Sequence, residues 1–359
     1  MIFLIYSTNR AQSYHAINGS PFAGSAGIRN NPASAVNSAY RWDLNLFSVQ
    51  VTQSTNTLGL GNFSLSSQDS ATILFGSKYS GRFIHNNLAV DLLNFHYKLD
   101  EKRAIAVGLR ARTYNHLKTM PLWSSDNIYS FYEFFRLNRT TPYLEGLVTH
   151  TGWLEGNLNY SQVLHESSTG KLSGGITLQI MRGLSGAFGR TNRFTYRELV
   201  NGTDTAYMLT NAYTIYGYSS NYDNASSNNP SVRDFVRNTV TRLGLSLGVE
   251  YLVYDTEPDN PGINKNLNYT WKIGAAIMNI GSNTYKASTY SGKFSNVNPN
   301  VTDTAIAVKI RGINSINGFH DSLATIFSST SSIGENFIIS NPTRLVINVD
   351  SKQVQFPGT

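Results

Sequence analysis

The chain of 359 residues contains no cysteine, which excludes a disulfide framework, thiolate metal sites and a cysteine nucleophile. Charge is scarce as well. Asp, Glu, Lys and Arg together make up 14% of the residues, against about 25% in an average soluble protein. No apolar run approaches the roughly 18 residues that a membrane helix needs. A membrane β-strand would leave no such run, because its apolar residues occupy only every second position.

Signatures of chemistry are missing too. The seven histidines are His15, His85, His96, His116, His150, His165 and His320, and no two lie at i, i+2 or i, i+4, so no local zinc pattern exists. There is no GxSxG elbow and no phosphate-cradling glycine loop; LGLGN at 58–62 reads as a turn. DTEPDNPG at 255–262 resembles a calcium loop in its alternating acids but lacks the downstream bidentate glutamate. His96 is the best placed histidine for a Ser/His pair assembled across strands, yet a lone histidine is more often structural. No enzyme activity, cofactor or metal is expected.

What the chain does have is 21 Tyr, 18 Phe and 29 Gly among many Asn, Ser and Thr, a composition suited to β-strands and polar loops. The net charge of +7 is basic, but its lysines and arginines are scattered, and nucleic-acid binding needs a patch rather than a sum.

Period-2 alternation recurs. In NFHYKLDEKRAIAVGLRARTYN (94–115), with Leu93 before it, Leu93, Phe95, Tyr97 and Leu99, then Ile105, Val107, Leu109 and Ala111, form an oily face opposite Asn94, His96, Lys98, Gly108, Arg110 and Arg112. WLEGNLNYSQVL sets Leu154, Leu158 and Tyr160 against Glu155, Asn157 and Asn159. GGITLQIM, TRLGLSLGVEYLVY and NYTWKIGAAI repeat the pattern, with Glu250 and Lys272 on the polar side. Charges avoid the oily face, where each would cost about 2–4 kcal/mol near a bilayer midplane. A DNA-binding ribbon has no reason for that avoidance; a membrane barrel with a wet interior does.

The connections agree. DEKR (100–103), ESSTGK (166–171) and DTEPDNPGINKN (255–266) are short, and long polar excursions at about 117–152, 187–238 and 282–342 alternate with them. Tyr97, Tyr251, Tyr254, Tyr269 and Trp271 flank the short turns, as an aromatic girdle would. Local helix is expected within 124–138 and 315–327, and further strands at 71–77, 205–217, 303–309 and 343–350. Residues 1–11 read as the remnant of a signal peptide, 12–40 as a separate N-terminal segment and 41–359 as the barrel.

PFAGSAGIRNNPASAVNSAYRWDLNLFSVQV at 21–51 places small residues, then Asn31, Pro32 and Ala33, then a short gap and a first strand. That order resembles the N-terminal region of the outer-membrane long-chain fatty-acid transporter superfamily. It is closer still to a Bacteroidota branch of outer-membrane proteins related to the type IX secretion shuttle barrel, with AIAVGLRARTYN and NPTRLVINVD fitting the same pattern. The resemblance implies an all-β, transmembrane antiparallel β-barrel of about 14 strands, with residues 12–40 as a hatch in the lumen. It further implies the bacterial outer membrane as location, membrane lipid as surroundings, and apolar small molecules as ligands. The secretion relatives imply an exported protein as partner instead. A third expectation is a soluble secreted β-protein, an adhesin or carbohydrate binder. The hatch motif is Asn31, Pro32 and Ala33, and the lumen candidates are His96, Lys98, Arg110, Arg112, Glu155, Glu250 and Lys272. Barrels of this kind end on a strand with a terminal aromatic, whereas this sequence ends KQVQFPGT, so a C-terminally incomplete barrel is expected.

Overall fold

The structure is a computed structural model. It describes residues 20–61, 72–75, 78–124, 130–223, 235–236, 239–254, 265–267, 269–311, 313 and 316–351. The expected signal remnant, the acidic turn at 255–264 and the chain after 351 lie outside the described residues.

The protein is all-β and antiparallel. Thirteen strands form one sheet. Its main wall runs in the order β1 and β2 (Trp42–Asn45, Ser48–Thr55), β5 (Ser80–Lys98), β6 (Arg103–Leu122), β7 (Leu144–Glu166), β8 (Gly170–Asn201), β10 (Thr241–Tyr254), β11 (Tyr269–Lys286) and β15 (Arg344–Ser351). The short strands β3 (Leu58–Gly61) and β4 (Thr72–Phe75) pair only with each other. At the far end the sheet forks. The distal half of β8 pairs β9 (Asp204–Tyr218), which continues to β12 (Gly292–Val297) and β13 (Phe327–Ser331), and the end of β11 pairs β14 (Asn336–Ser340). Among the described residues, β1 with β2 and β15 are the wall's edges, and the sheet is not closed.

The turns explain the hairpins. In the first, Asp100 accepts from Arg103 Nε at 2.7 Å and from the Lys102 amide at 2.8 Å. The Arg103 bond, then the amide, holds the Asp100 carboxyl below its ordinary range. At the tip of β8 and β9, Asn201 pairs with Asp204 across the two-residue turn Gly202–Thr203, in which Gly202 takes φ +63, a conformation open to glycine.

The two faces of the wall are inverted relative to a soluble protein. One face exposes Leu109, Leu158, Leu178, Leu247, Ile273 and Ile347, the last at 69%. The other buries Asp91, Arg112, Glu155, Thr177, Ser246 and Lys272. Strand alternation produces this separation, with a bulge at Leu92 resetting its phase beside Asp91.

Against the polar face lie two 3-10 turns, Gly24–Arg29 and Pro32–Ala35. This short segment touches β1, β5, β6, β7, β8 and β10. Ser25 bonds Asp43 on one edge strand, and Arg344 on the other edge donates to the Arg29 carbonyl at 2.7 Å. Both edges of the wall therefore reach within four residues of one another along the segment, so the sheet is strongly curled around it.

Several sequence expectations are corrected. The excursions at 117–152 and 187–238 are largely strand, because β6, β7, β8 and β9 run on well past the wall. Residues 303–309 are helical: α2 (Asp303–Ile310) is capped by Thr302, whose hydroxyl accepts from the Ala305 amide at 3.2 Å. Residues 58–61 are a strand rather than a turn. Tyr269 is buried, its hydroxyl donating to Asp350 at 2.7 Å, because the β10–β11 register shifts at Tyr254. The other helices, α1 (Phe131–Leu137) and α3 (Ile316–Ile326), fall where local helix is expected. With α2 they build an apolar core against the distal sheet around Phe135, Tyr207, Tyr216, Phe294, Ile306 and Leu323.

Candidate functional site: a segment seated on the polar face and an apolar chamber

The Asn31-Pro32-Ala33 stretch is seated on a floor of glycine. Pro32 keeps Asn31 extended, with φ −149 and ψ 118. From there Asn31 Oδ1 caps the next turn by accepting from the Ala33 amide at 3.0 Å, and Nδ2 donates to the Val249 carbonyl at 2.8 Å. Gly175 on β8 and Gly248 on β10 face each other in register, and Gly274 on β11 follows. A methyl group on Gly175 would overlap the Pro32 backbone, and one on Gly248 would overlap the Asn31 side chain. The close approach of backbone to sheet requires those glycines. Asn159 donates to the Pro32 carbonyl at 3.1 Å, and Ile28, Ala35 and Val36 pack on Ala104, Ala106 and Val163.

The seven polar-face candidates are all buried: five fall in two groups, and His96 and Lys98 stand apart from both. Arg110, Arg112 and Glu155 gather beside the segment. Arg110 Nε approaches Asp91 at 3.2 Å, and Asp91 also pairs with Arg29. Burial is the main influence on Arg29 and, with Arg110 beside it, pulls its guanidinium down to about 10 against the pull of Asp91, so it stays charged at neutral pH. Glu155 accepts from Trp153 Nε1 at 2.8 Å and lies 3.6 Å from Arg112, whose guanidinium stands 4.8 Å over the Trp153 ring. Arg112 also donates to Asn279 Oδ1 at 2.9 Å. A cavity of about 50 Å³ lies among Arg29, Arg110, Glu155, Gln179, Asn279 and Arg344.

Glu250 and Lys272 form a second group, diagonal neighbours on β10 and β11. Glu250 accepts from Asn37 at 2.8 Å, and Lys272 lies 4.0 Å from Asp350. His96 is apart from both, with Nε2 2.8 Å from the Ala35 carbonyl and Nδ1 3.0 Å from Asp43. It ties the segment to β1, and this geometry gives it a structural task. Lys98 lies near the first hairpin turn.

Sequence reading missed Arg29, Asp91, Asn279 and Asn37. Asn279 owes its place to a bulge: it has φ +61, and the register shifts between Leu245 and Leu247 opposite it. Asp91 sits beside the bulge at Leu92 in β5, where alternation changes phase. A strict period-2 reading cannot follow either.

The larger space lies at the far end. A chamber of about 810 Å³ opens between the sheet and α3, lined by Leu117, Val148, His150, Tyr216, Ile313 and Phe319 among others. A second cavity of about 340 Å³, lined by Phe135, Phe194, Ile306 and Leu323, shares Gly146, Thr191, Thr214 and Phe319 with it. Leu117 pairs with Val148, and the β6–β7 register is unbroken back to Leu109. The chamber therefore lies on the apolar side of the sheet, continuous with the exposed band.

Residues 32–355 match DUF5723, a family of unknown function, and the chain belongs to that family. No curated protein and no solved structure matches it.

Proposed function

We propose that this protein is an outer-membrane β-barrel that binds hydrophobic small molecules and passes them inward. The observation that carries the reading is the inverted sheet, which buries its charges and exposes its aliphatic side chains. Soluble monomers rarely expose contiguous apolar patches beyond a few hundred Å². Lipid contact turns that exposure from a liability into stabilisation, at about 1.5–3 kcal/mol for each large side chain taken fully out of water. The curled wall, with both edges reaching the same short segment, is the arrangement expected of a barrel around a hatch, and the N-terminal resemblance supports the same reading.

The apolar chamber supports a hydrophobic ligand. Its volume falls in the roughly 300–1,000 Å³ range of small-molecule sites, and its position beside the exposed band suits capture of molecules partitioned at a membrane surface. Passage would then require the Asn31–Ala33 stretch to leave its glycine seat.

Membrane fractionation and a heat-modifiability gel on the product of the native gene test the barrel. Outer-membrane recovery and faster migration of unboiled protein are expected; recovery as a soluble protein without a shift overturns it. Binding of a fluorescent acyl probe tests the ligand class. Val148→Trp, which fills the chamber, is expected to weaken probe binding about tenfold, a loss of about 1.4 kcal/mol. Unchanged binding would remove the chamber from the account.

A further inference from the structure

Above the arginine network, on the same polar face, His85 of β5 lies directly opposite His116 of β6. Their rings stack with centroids 4.5 Å apart and planes 19° from parallel. Nδ1 of one stands 3.0 Å from Nδ1 of the other, and the Tyr114 hydroxyl lies 3.2 Å from the His85 nitrogen. The three side chains come from adjoining positions of one strand pair, with Asn87 opposite Tyr114. Spacing rules could not find them, because His85 and His116 are 31 residues apart in sequence and meet only across the ladder.

We propose that His85 and His116, with the Tyr114 oxygen as a third donor, form a binding site for a divalent transition metal of tetragonal preference, copper(II) above all. The geometry selects the class. Two imidazole nitrogens 3.0 Å apart, each about 2.05 Å from a shared ion, subtend about 94° at that ion. That is the cis angle of a square-planar or octahedral site. A tetrahedral zinc site at the same bond length needs nitrogens about 3.35 Å apart. Imidazole is a good ligand for copper and nickel, tetragonal nitrogen and oxygen sites suit Cu(II) and Ni(II), and copper binds tightest of the divalent first-row ions. Both rings are carried by a continuous antiparallel pair rather than by loops, so the two nitrogens are held together before any ion arrives. Among the described residues no three His, Asp or Glu side chains gather for a metal. The phenol and solvent therefore complete the coordination sphere, and the site is open to exchange.

Without a metal, the same contact is a single hydrogen bond from the Nδ1–H of one ring to the other nitrogen, and that arrangement is the rival. The full chain, folded in detergent, is titrated with CuCl2 and followed by electron paramagnetic resonance. A saturable tetragonal signal with hyperfine structure from two nitrogens is expected. His85→Gln and His116→Gln should each weaken binding about a hundredfold, the scale of advantage that linked donors have over one. His165→Gln, on the exposed end of β7, should leave it unchanged. Folding of each variant is read from its circular dichroism. A second measurement needs no variant: copper should protect His85 and His116 of the wild type, and not His165, from diethyl pyrocarbonate, located by mass spectrometry. A signal that survives both substitutions, or equal modification with and without copper, overturns the proposal and leaves the hydrogen bond.

Discussion

Gly175 and Gly248 show how little of a side chain separates a seated segment from a displaced one. Both face residues 31–33, and at Gly175 the obstacle to a methyl group is the Pro32 backbone, which cannot rotate aside. Gly175→Ala should therefore cost about 1–3 kcal/mol, the usual range for overpacking. Limited proteolysis after residue 30 should accelerate with it. Gly156→Ala, where a methyl group meets nothing within 4 Å, should change neither. Equal behaviour of the two variants would mean that the segment is not held by its fit to the floor. Glu155 makes the complementary point about charge. Glu155→Ala leaves Arg112 buried with its hydrogen bond to Asn279 but without its carboxylate, and removing one member of a buried pair costs about 3–5 kcal/mol. In a hydrated interior the loss would fall to about 1 kcal/mol or less, as at a surface. Urea unfolding of the variant reads which regime applies. At this scale the sequence revealed Asn31-Pro32-Ala33, Arg110, and both members of the Arg112–Glu155 pair. It hid Asp91 and Asn279, because bulges change which way a residue points.

Strands were legible where one face is apolar and the other polar. Ile176, Leu178 and Ile180 alternate with Thr177 and Gln179, and the structure exposes the first set and buries the second. Legibility fails past the wall. There β8 carries Arg190, Thr191, Asn192 and Arg193, neither face is uniformly oily, and a 32-residue strand looks like a loop. It also fails at Ala305–Ile306–Ala307–Val308, whose short alternation suits a strand but which the Thr302 cap starts as a helix. The wall strands give a sharp test of what surrounds them. Leu178 is 40% exposed, so in a soluble protein Leu178→Arg is harmless or improves solubility. Against lipid near the midplane it should cost about 2–4 kcal/mol. Recovery of folded protein in lipid vesicles, compared with Thr210→Arg on the distal part of β9, reads the difference. Equal recovery would sink the membrane assignment for β8.

At the scale of the molecule, the absence of cysteine becomes an instrument. Any single introduced cysteine is the sole labelling site, so the surroundings of each face can be read position by position. On β10, Leu247 and Val249 belong to the exposed face, and Ser246 and Glu250 to the buried one; on β11, Ile273 and Ile277 oppose Lys272 and Ala276. Cysteines at these eight positions, carrying a small environment-sensitive fluorophore, are placed in vesicles whose acyl chains are brominated. If the apolar face meets lipid, bromine should quench the labels at 247, 249, 273 and 277. Labels at 246, 250, 272 and 276 should stay bright, because a curled wall and the segment at residues 24–35 stand between them and the acyl chains. Depth adds a second constraint. Val249 pairs with Ala275, so labels at 247 and 277, opposite each other in register, should be quenched to the same extent despite lying on different strands. A flat two-sided sheet on a membrane surface would quench one face without the matched depths. A soluble sandwich would quench none. Alternation together with matched depth is the pattern that only a spanning, curled sheet produces, and its absence would return the exposed aliphatic band to some partner other than lipid.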